Sequence, residues 1–96
     1  MTRQDILNFL SEHREEMNER FSLIRIGLFG SYARGDADAD SDIDLYADFE
    51  EKKFKNIAGA WNYLEAALGK KIDLLYPHNN MRMSLKKSIE KEVVYG

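Results

Sequence analysis

Residues 23–49 read LIRIGLFGSYARGDADADSDIDLYADF, and the fold turns on how this stretch divides. Leu23 to Phe29 is short, rich in Ile and Leu, and stopped by Gly30. That suits a buried strand better than so brief a helix. Further on, Ile43, Leu45, Ala47 and Phe49 alternate with Asp42, Asp44, Tyr46 and Asp48. Strict alternation marks a strand with one face buried, and here the other face carries acids. Between the two strands, Gly30 and Ser31 end the first run, and Tyr32, Ala33 and Arg34 can start a short helical turn before Gly35.

Outward from this stretch the period changes. Ile6, Leu10, Met17 and Phe21, with Leu7 and His13 filling in, predict one helix over 2–21, and Thr2 with Asp5 forms a capping-box pattern at its start. On the other side, Phe54, Ile57, Ala58, Trp61, Leu64 and Leu68 return to helical spacing, with Gly69 where a helix end wants a left-handed residue. Phe54, Trp61 and Leu64 read as core. Lys71 to Tyr76 (KIDLLY) is a third apolar run ended by Pro77, and 84–92 can form a last helix presenting Leu85, Ile89 and Val93. Residues 93–95 suit a strand end equally well. The order helix, strand, turn, strand, helix, strand, helix predicts an α/β (α+β) domain, a small mixed sheet covered by helices on one side. A right-handed crossover then places the third strand beside and parallel to the second, with Asp73 next to Asp42 and Asp44.

The 96 residues, with 44% apolar and 32% charged content, predict a single globular domain over 1–96 with one modest core. A large substrate must meet an open face. Zero cysteines exclude a disulfide scaffold, a thiolate zinc site and a cysteine nucleophile. Two histidines argue against a histidine-rich metal site. Met1 to Asp5 lack the start of a signal peptide and no run is long enough to cross a bilayer, so a cytoplasmic protein with no membrane association is expected. A formal charge of -3 argues against stable nucleic-acid binding.

The acids carry the chemistry. Asp42 and Asp44 stand two apart on a predicted strand, so their side chains share a face and repel unless a cation joins them. Magnesium takes hard oxygen ligands and is normally held by one or two carboxylates together with substrate phosphates. Paired ions also suit the attacking and leaving oxygens of an in-line displacement. Upstream, the Gly30-Ser31 bend offers free backbone N–H groups and a hydroxyl to a phosphate, and Arg34 can neutralise the same anion. Asp36, Asp38 and Asp40 fit no calcium-loop spacing: from Asp36 or Asp38 the twelfth position is Ala47 or Phe49, and from Asp40 the sixth is Leu45 instead of glycine. They read as a solvated loop. His13 sits on an apolar helix face and reads as a packed or boundary histidine, and nothing assigns a role to His78.

Gly30 to Leu45, GSYARGDADADSDIDL, resembles the signature of the nucleotidyltransferase superfamily that includes DNA polymerase beta: a Gly-Ser followed, ten residues on, by Asp42-Ile43-Asp44. Within it the chain is most similar to the minimal nucleotidyltransferases, the MNT or MntA-like antitoxins encoded beside HEPN-domain toxins. The third acid of that pattern falls on Asp73. The resemblance implies the polymerase beta-like fold and transfer of AMP from ATP, a nucleoside triphosphate substrate, to a hydroxyl, with a tyrosine of the partner HEPN toxin as acceptor in a type VII toxin–antitoxin pair. It implies Asp42, Asp44 and Asp73 as catalytic residues and ligands of two Mg2+ ions, and Gly30, Ser31 and Arg34 as nucleotide-binding residues. A chain this small has no acceptor-binding domain, which favours a protein acceptor that brings its own surface. Two other readings stay open: an antitoxin that neutralises its partner by binding alone, and one subunit of a split small-molecule nucleotidyltransferase. The oligomeric state, homo- or hetero-, is not fixed by the sequence.

Overall fold

A computed structural model describes residues 1–78 and 80–96. Helices α1 (Arg3–Glu12) and α2 (Arg14–Phe21) lead into strand β1 (Leu23–Phe29), the short helix α3 (Gly30–Arg34) and strand β2 (Ile43–Phe49). Helix α4 (Phe54–Leu68), strand β3 (Ile72–Leu75), helix α5 (Met83–Glu92) and strand β4 (Val94–Tyr95) follow. The four strands form one mixed sheet in the order β3-β2-β1-β4. β1 is antiparallel to both β2 and β4, while β2 and β3 run parallel, as the crossover through α4 requires. Among the described residues no helix is long and apolar enough to cross a membrane.

The single helix expected over 2–21 is two. Thr2 and Asp5 form the capping box, so the start is as expected. At His13 the backbone leaves the helical region (φ -106°, ψ 10°), and its ring stacks on Phe9 with centroids 4.0 Å apart and Nδ1 2.9 Å from the Phe9 carbonyl. The break re-aims the second segment, so that Met17 and Phe21 are buried in the same core as Ile6 and Leu10. α2 ends at Ser22, the one non-glycine residue with a left-handed backbone among those described (φ 62°). Ser22 is held there from across the sheet: its carbonyl accepts from Glu50 N–H at 2.8 Å and its hydroxyl from Glu51 N–H at 3.1 Å.

The core lies between one sheet face and helices α1, α2 and α4. Ile26 and Leu28 of β1, Ile43, Leu45 and Ala47 of β2, and Ile72 and Leu74 of β3 point into it. α4 supplies Ile57, Ala60, Leu64 and Leu68, a stripe at helical spacing. Phe54 was expected in that core and is instead 85% exposed, because it stands at the first position of α4, before the stripe begins. Trp61 packs on the core edge and donates its indole N–H to the Ile72 carbonyl at 2.7 Å, tying α4 to β3.

Helices were also expected on one face only. α5 lies on the other. Tyr46 alternates with core-facing Leu45 and Ala47, so it points to the opposite face, yet it is buried there together with Ile89 of α5, apart from the main core. Of the expected Leu85, Ile89 and Val93, only Ile89 is buried, and Leu85 and Met83 face solvent. This division gives a checkable pair. In urea denaturation, Leu45→Ala should cost about 2–5 kcal/mol by leaving a cavity under the sheet, whereas Phe54→Ala should move stability by less than about 0.5 kcal/mol.

Candidate functional site

The end of β1 bends sharply. Phe29 is extended, Gly30 takes φ +75°, and one helical turn follows until Gly35, whose left-handed backbone closes it with an N–H bond to the Ser31 carbonyl at 3.0 Å. The glycine at position 30 is needed for space as well as for φ. A Cβ built there would collide with the Asp44 carboxylate, so the bend rests directly on that acid. Asp44 itself is fixed by two registers: it opposes Phe29 across the antiparallel pair and stands beside Asp73 across the parallel one.

Two carboxylates on adjacent strands of one face repel, and at Asp44 burial adds to the cost of the charged form. Burial pushes the Asp44 carboxyl above the usual carboxylate range, the neighbouring Asp73 and Asp42 charges add to this, and a hydrogen bond with Asp73 favours the protonated form. The Arg34 charge acts in the opposite direction. Asp42 lies just before β2 and is half-buried. Its Oδ2 is 3.9 Å from Lys71 Nζ, because the Lys71 carbonyl accepts the Ile43 N–H at 3.0 Å where β2 and β3 begin to pair. The expected trio is therefore a close pair, Asp44 and Asp73, with Asp42 alongside and partly neutralised by a lysine.

Among the described residues no three His, Cys, Asp or Glu side chains are arranged to hold an ion by themselves. The donor chemistry nevertheless fits magnesium, which needs only one or two carboxylates when phosphate oxygens complete its shell. The like charges gathered at Asp42, Asp44 and Asp73 are what a hard divalent cation would relieve.

Arg34 is exposed and engaged at both ends of its guanidinium. It pairs with Asp36 at 3.4 Å and with Glu92 of α5 at 2.6 Å, which hold it firmly charged. The same Glu92 oxygen accepts the Gly30 N–H at 2.9 Å. Asp38 and Asp40 lie in the exposed loop as expected, with Asp38 bonded within the loop to Asp40 N–H and Ser41. His78 is exposed beside Tyr76, and His13 belongs to the α1–α2 junction, far in the chain from these acids. An open cleft of about 530 Å³ runs between the end of β3 and α5, lined by Leu75, His78, Arg82, Ser84, Leu85 and Ser88 among others. Leu75 shares a sheet face with Asp73, two residues away along β3, but neither Asp73 nor Asp44 lines this cleft.

Lys71 and Glu92 were not picked out from the sequence. The lysine's place before KIDLL was a usable signal once the parallel pairing was assumed. Glu92 had none, since only the path of α5 across the sheet brings it to Gly30.

Comparison with known proteins follows the same lines. Residues 10–95 match the family described as Nucleotidyltransferase domain. The chain is 40% identical over 99 residues to the protein adenylyltransferase MntA of Thermococcus cleftensis, spanning 99% of this chain and 96% of that protein. A solved structure assigned as a minimal nucleotidyltransferase is 32% identical and superposes with a TM-score of 0.72, over 92% of this chain and 93% of its own. A complex of the tri-AMPylated Shewanella oneidensis HEPN toxin with MNT antitoxin shares the fold, with a TM-score of 0.67 at 19% identity over 98% of this chain and 71% of that one.

The acid pair has a consequence for stability. Because the native chain binds the Asp44 proton more tightly than the unfolded chain does, the stability linked to it is full below the ordinary aspartate range and is lost as pH rises through the raised native value. Asp44→Asn, which mimics the protonated acid, should melt higher than the parent at pH 7. A gain of about 1 kcal/mol corresponds to ~4–8 °C in a domain of this size. The difference should shrink toward pH 3, and differential scanning calorimetry across that range checks it.

Proposed function

The chain belongs to the nucleotidyltransferase domain family, and from that premise we propose that it transfers AMP from ATP to a tyrosine hydroxyl of a partner HEPN-domain toxin, as the enzymatic antitoxin of that pair. The observation that carries this reading is the placement of Asp44 and Asp73 side by side beneath the Gly30-Ser31 bend. Backbone donors and a hydroxyl on one side, and gathered carboxylates on the other, are what phosphoryl transfer asks of a protein, since its barrier is lowered by positioning and charge neutralisation.

In this reading the Gly30 and Ser31 backbone N–H groups and the Ser31 hydroxyl hold the terminal phosphates, and Arg34 offsets their charge. Asp42, Asp44 and Asp73 would hold Mg2+, two ions in the full complement, which supplies charge neutralisation at the reacting phosphate. Asp73, the most exposed of the pair, faces the incoming acceptor and takes its proton. A bond forms between the acceptor oxygen and the α-phosphorus, the bridging bond to the β-phosphate breaks, and pyrophosphate leaves. Asp73 is exposed, which leaves room for a protein acceptor to approach. The 40% identical relative named as a protein adenylyltransferase, and the AMPylated toxin bound by an antitoxin of this fold, support the choice of a protein acceptor.

Incubating the chain with its toxin partner, ATP and magnesium should add 329 Da increments, about the mass of an AMP residue, on a toxin tyrosine by mass spectrometry, an expectation that rests on transfer chemistry alone. Asp42→Asn with Asp44→Asn should reduce the rate by at least ~10³-fold, the scale on which electrostatic groups at a transition state act. A double variant that neutralises the toxin fully, at equal abundance and without nucleotide, would instead establish inhibition by binding.

A further inference from the structure

Glu92 is the last residue of α5, and one of its oxygens is shared between two donors: the Gly30 N–H at 2.9 Å and Arg34 Nη1 at 2.6 Å. A backbone amide from the bend and the guanidinium four residues later are the groups the proposed function gives to the triphosphate. Both cannot be fully used twice. A carboxylate on a backbone N–H and an arginine makes the same charge-assisted contacts as a phosphate oxygen, with less charge and fewer acceptors.

What holds Glu92 in place is slight. α5 buries only Ile89. Beyond it, β4 pairs with β1 through two residues, Val94 and Tyr95, and the Gly96 N–H bonds to the Ile26 carbonyl at 3.1 Å. Gly27 makes this docking feasible, because a Cβ there would meet the Val93 side chain at 2.5 Å and the Tyr95 ring at 2.8 Å. Arg25 also lies over the Tyr95 ring at 4.4 Å and Arg14 Nη1 is 3.5 Å from the Gly96 carbonyl, both exposed contacts at the sheet edge, while Glu92 reaches into the site.

We propose that Glu92 is an internal stand-in for a nucleotide phosphate: it occupies Gly30 N–H and Arg34 while the site is empty, the triphosphate displaces it, and nucleotide binding thereby loosens the α5–β4 segment. This rests on the reading of the site given above. A docked internal competitor weakens the apparent affinity in proportion to the fraction of chains in which it is docked. For a half-exposed carboxylate–guanidinium contact with one added N–H bond, that factor is about three- to tenfold.

Calorimetric titration of a non-hydrolysable ATP analogue with magnesium into the full chain and into Glu92→Gln tests this, with circular dichroism to establish that both are folded. The variant should bind the analogue about three- to tenfold more tightly, and inorganic pyrophosphate by the same factor. Equal or weaker binding by the variant would make Glu92 a brace for Gly30 and Arg34, and would overturn the proposal while leaving the nucleotide site intact. No binding by either protein would remove the nucleotide site and the proposal together. A second measurement needs no variant: on saturating the parent chain with the analogue, hydrogen exchange at the Gly96 amide, bonded to the Ile26 carbonyl, should speed up, and slower exchange there would count against displacement.

Discussion

Asp44 and Asp73 occupy partnered positions of a parallel strand pair, on the face away from the main core, and most of the molecule can be read as the means of keeping them there. Left to themselves, two such side chains would separate. They cannot, because Ile43 and Leu45 on one strand and Ile72 and Leu74 on the other are buried on the opposite face, and a one-residue slip would exchange acids for core. The register is therefore fixed by apolar burial, and the electrostatic cost is eased locally by the raised proton affinity of Asp44 and by the nearby cations of Arg34 and Lys71. Gly30 closes the arrangement from above, since no side chain fits between the bend and the Asp44 carboxylate. The site is in this sense a place where the fold opposes its own charges, and a polyvalent cation or a further proton is what relieves it.

Much of this was legible in the residues. The alternation from Asp42 to Phe49 fixed which side chains leave the core, and the helix ending at Gly69 implied the parallel crossover that sets Asp73 beside Asp44. The bounds of β1 and β2 and the capping box at Thr2 agree with the structure for the same reason: each depends on neighbours only a few residues away. The misreadings share the opposite property. The break at His13 depends on where Met17 and Phe21 must go, which is a matter of tertiary packing, and Phe54 matched the helical period without reaching the apolar stripe. The path of α5 across the far face could not be read from Leu85, Ile89 and Val93, of which a single residue is buried. Within the candidate site, spacing and the family resemblance pointed to Gly30, Ser31, Asp42, Asp44 and Asp73, whereas Glu92 and Lys71 reach it through pairings made at long range.

The two sheet faces divide the labour. One is packed with aliphatic side chains beneath three helices and supplies rigidity. The other carries Asp44, Tyr46 and Asp73 and is only partly roofed by α5, so it can present its acids to something large. A chain of this size has surface to spare but little interior, and leaving one face thinly covered is how it retains both a core and a reachable site.

The bond from the Trp61 indole to the Ile72 carbonyl gives the molecule a native optical reporter. It is the only tryptophan in the chain, and its partner is the residue immediately before Asp73. Its emission should therefore respond to shifts of the backbone that carries one of the acids, which makes the unlabelled protein suited to stopped-flow titration at a single wavelength.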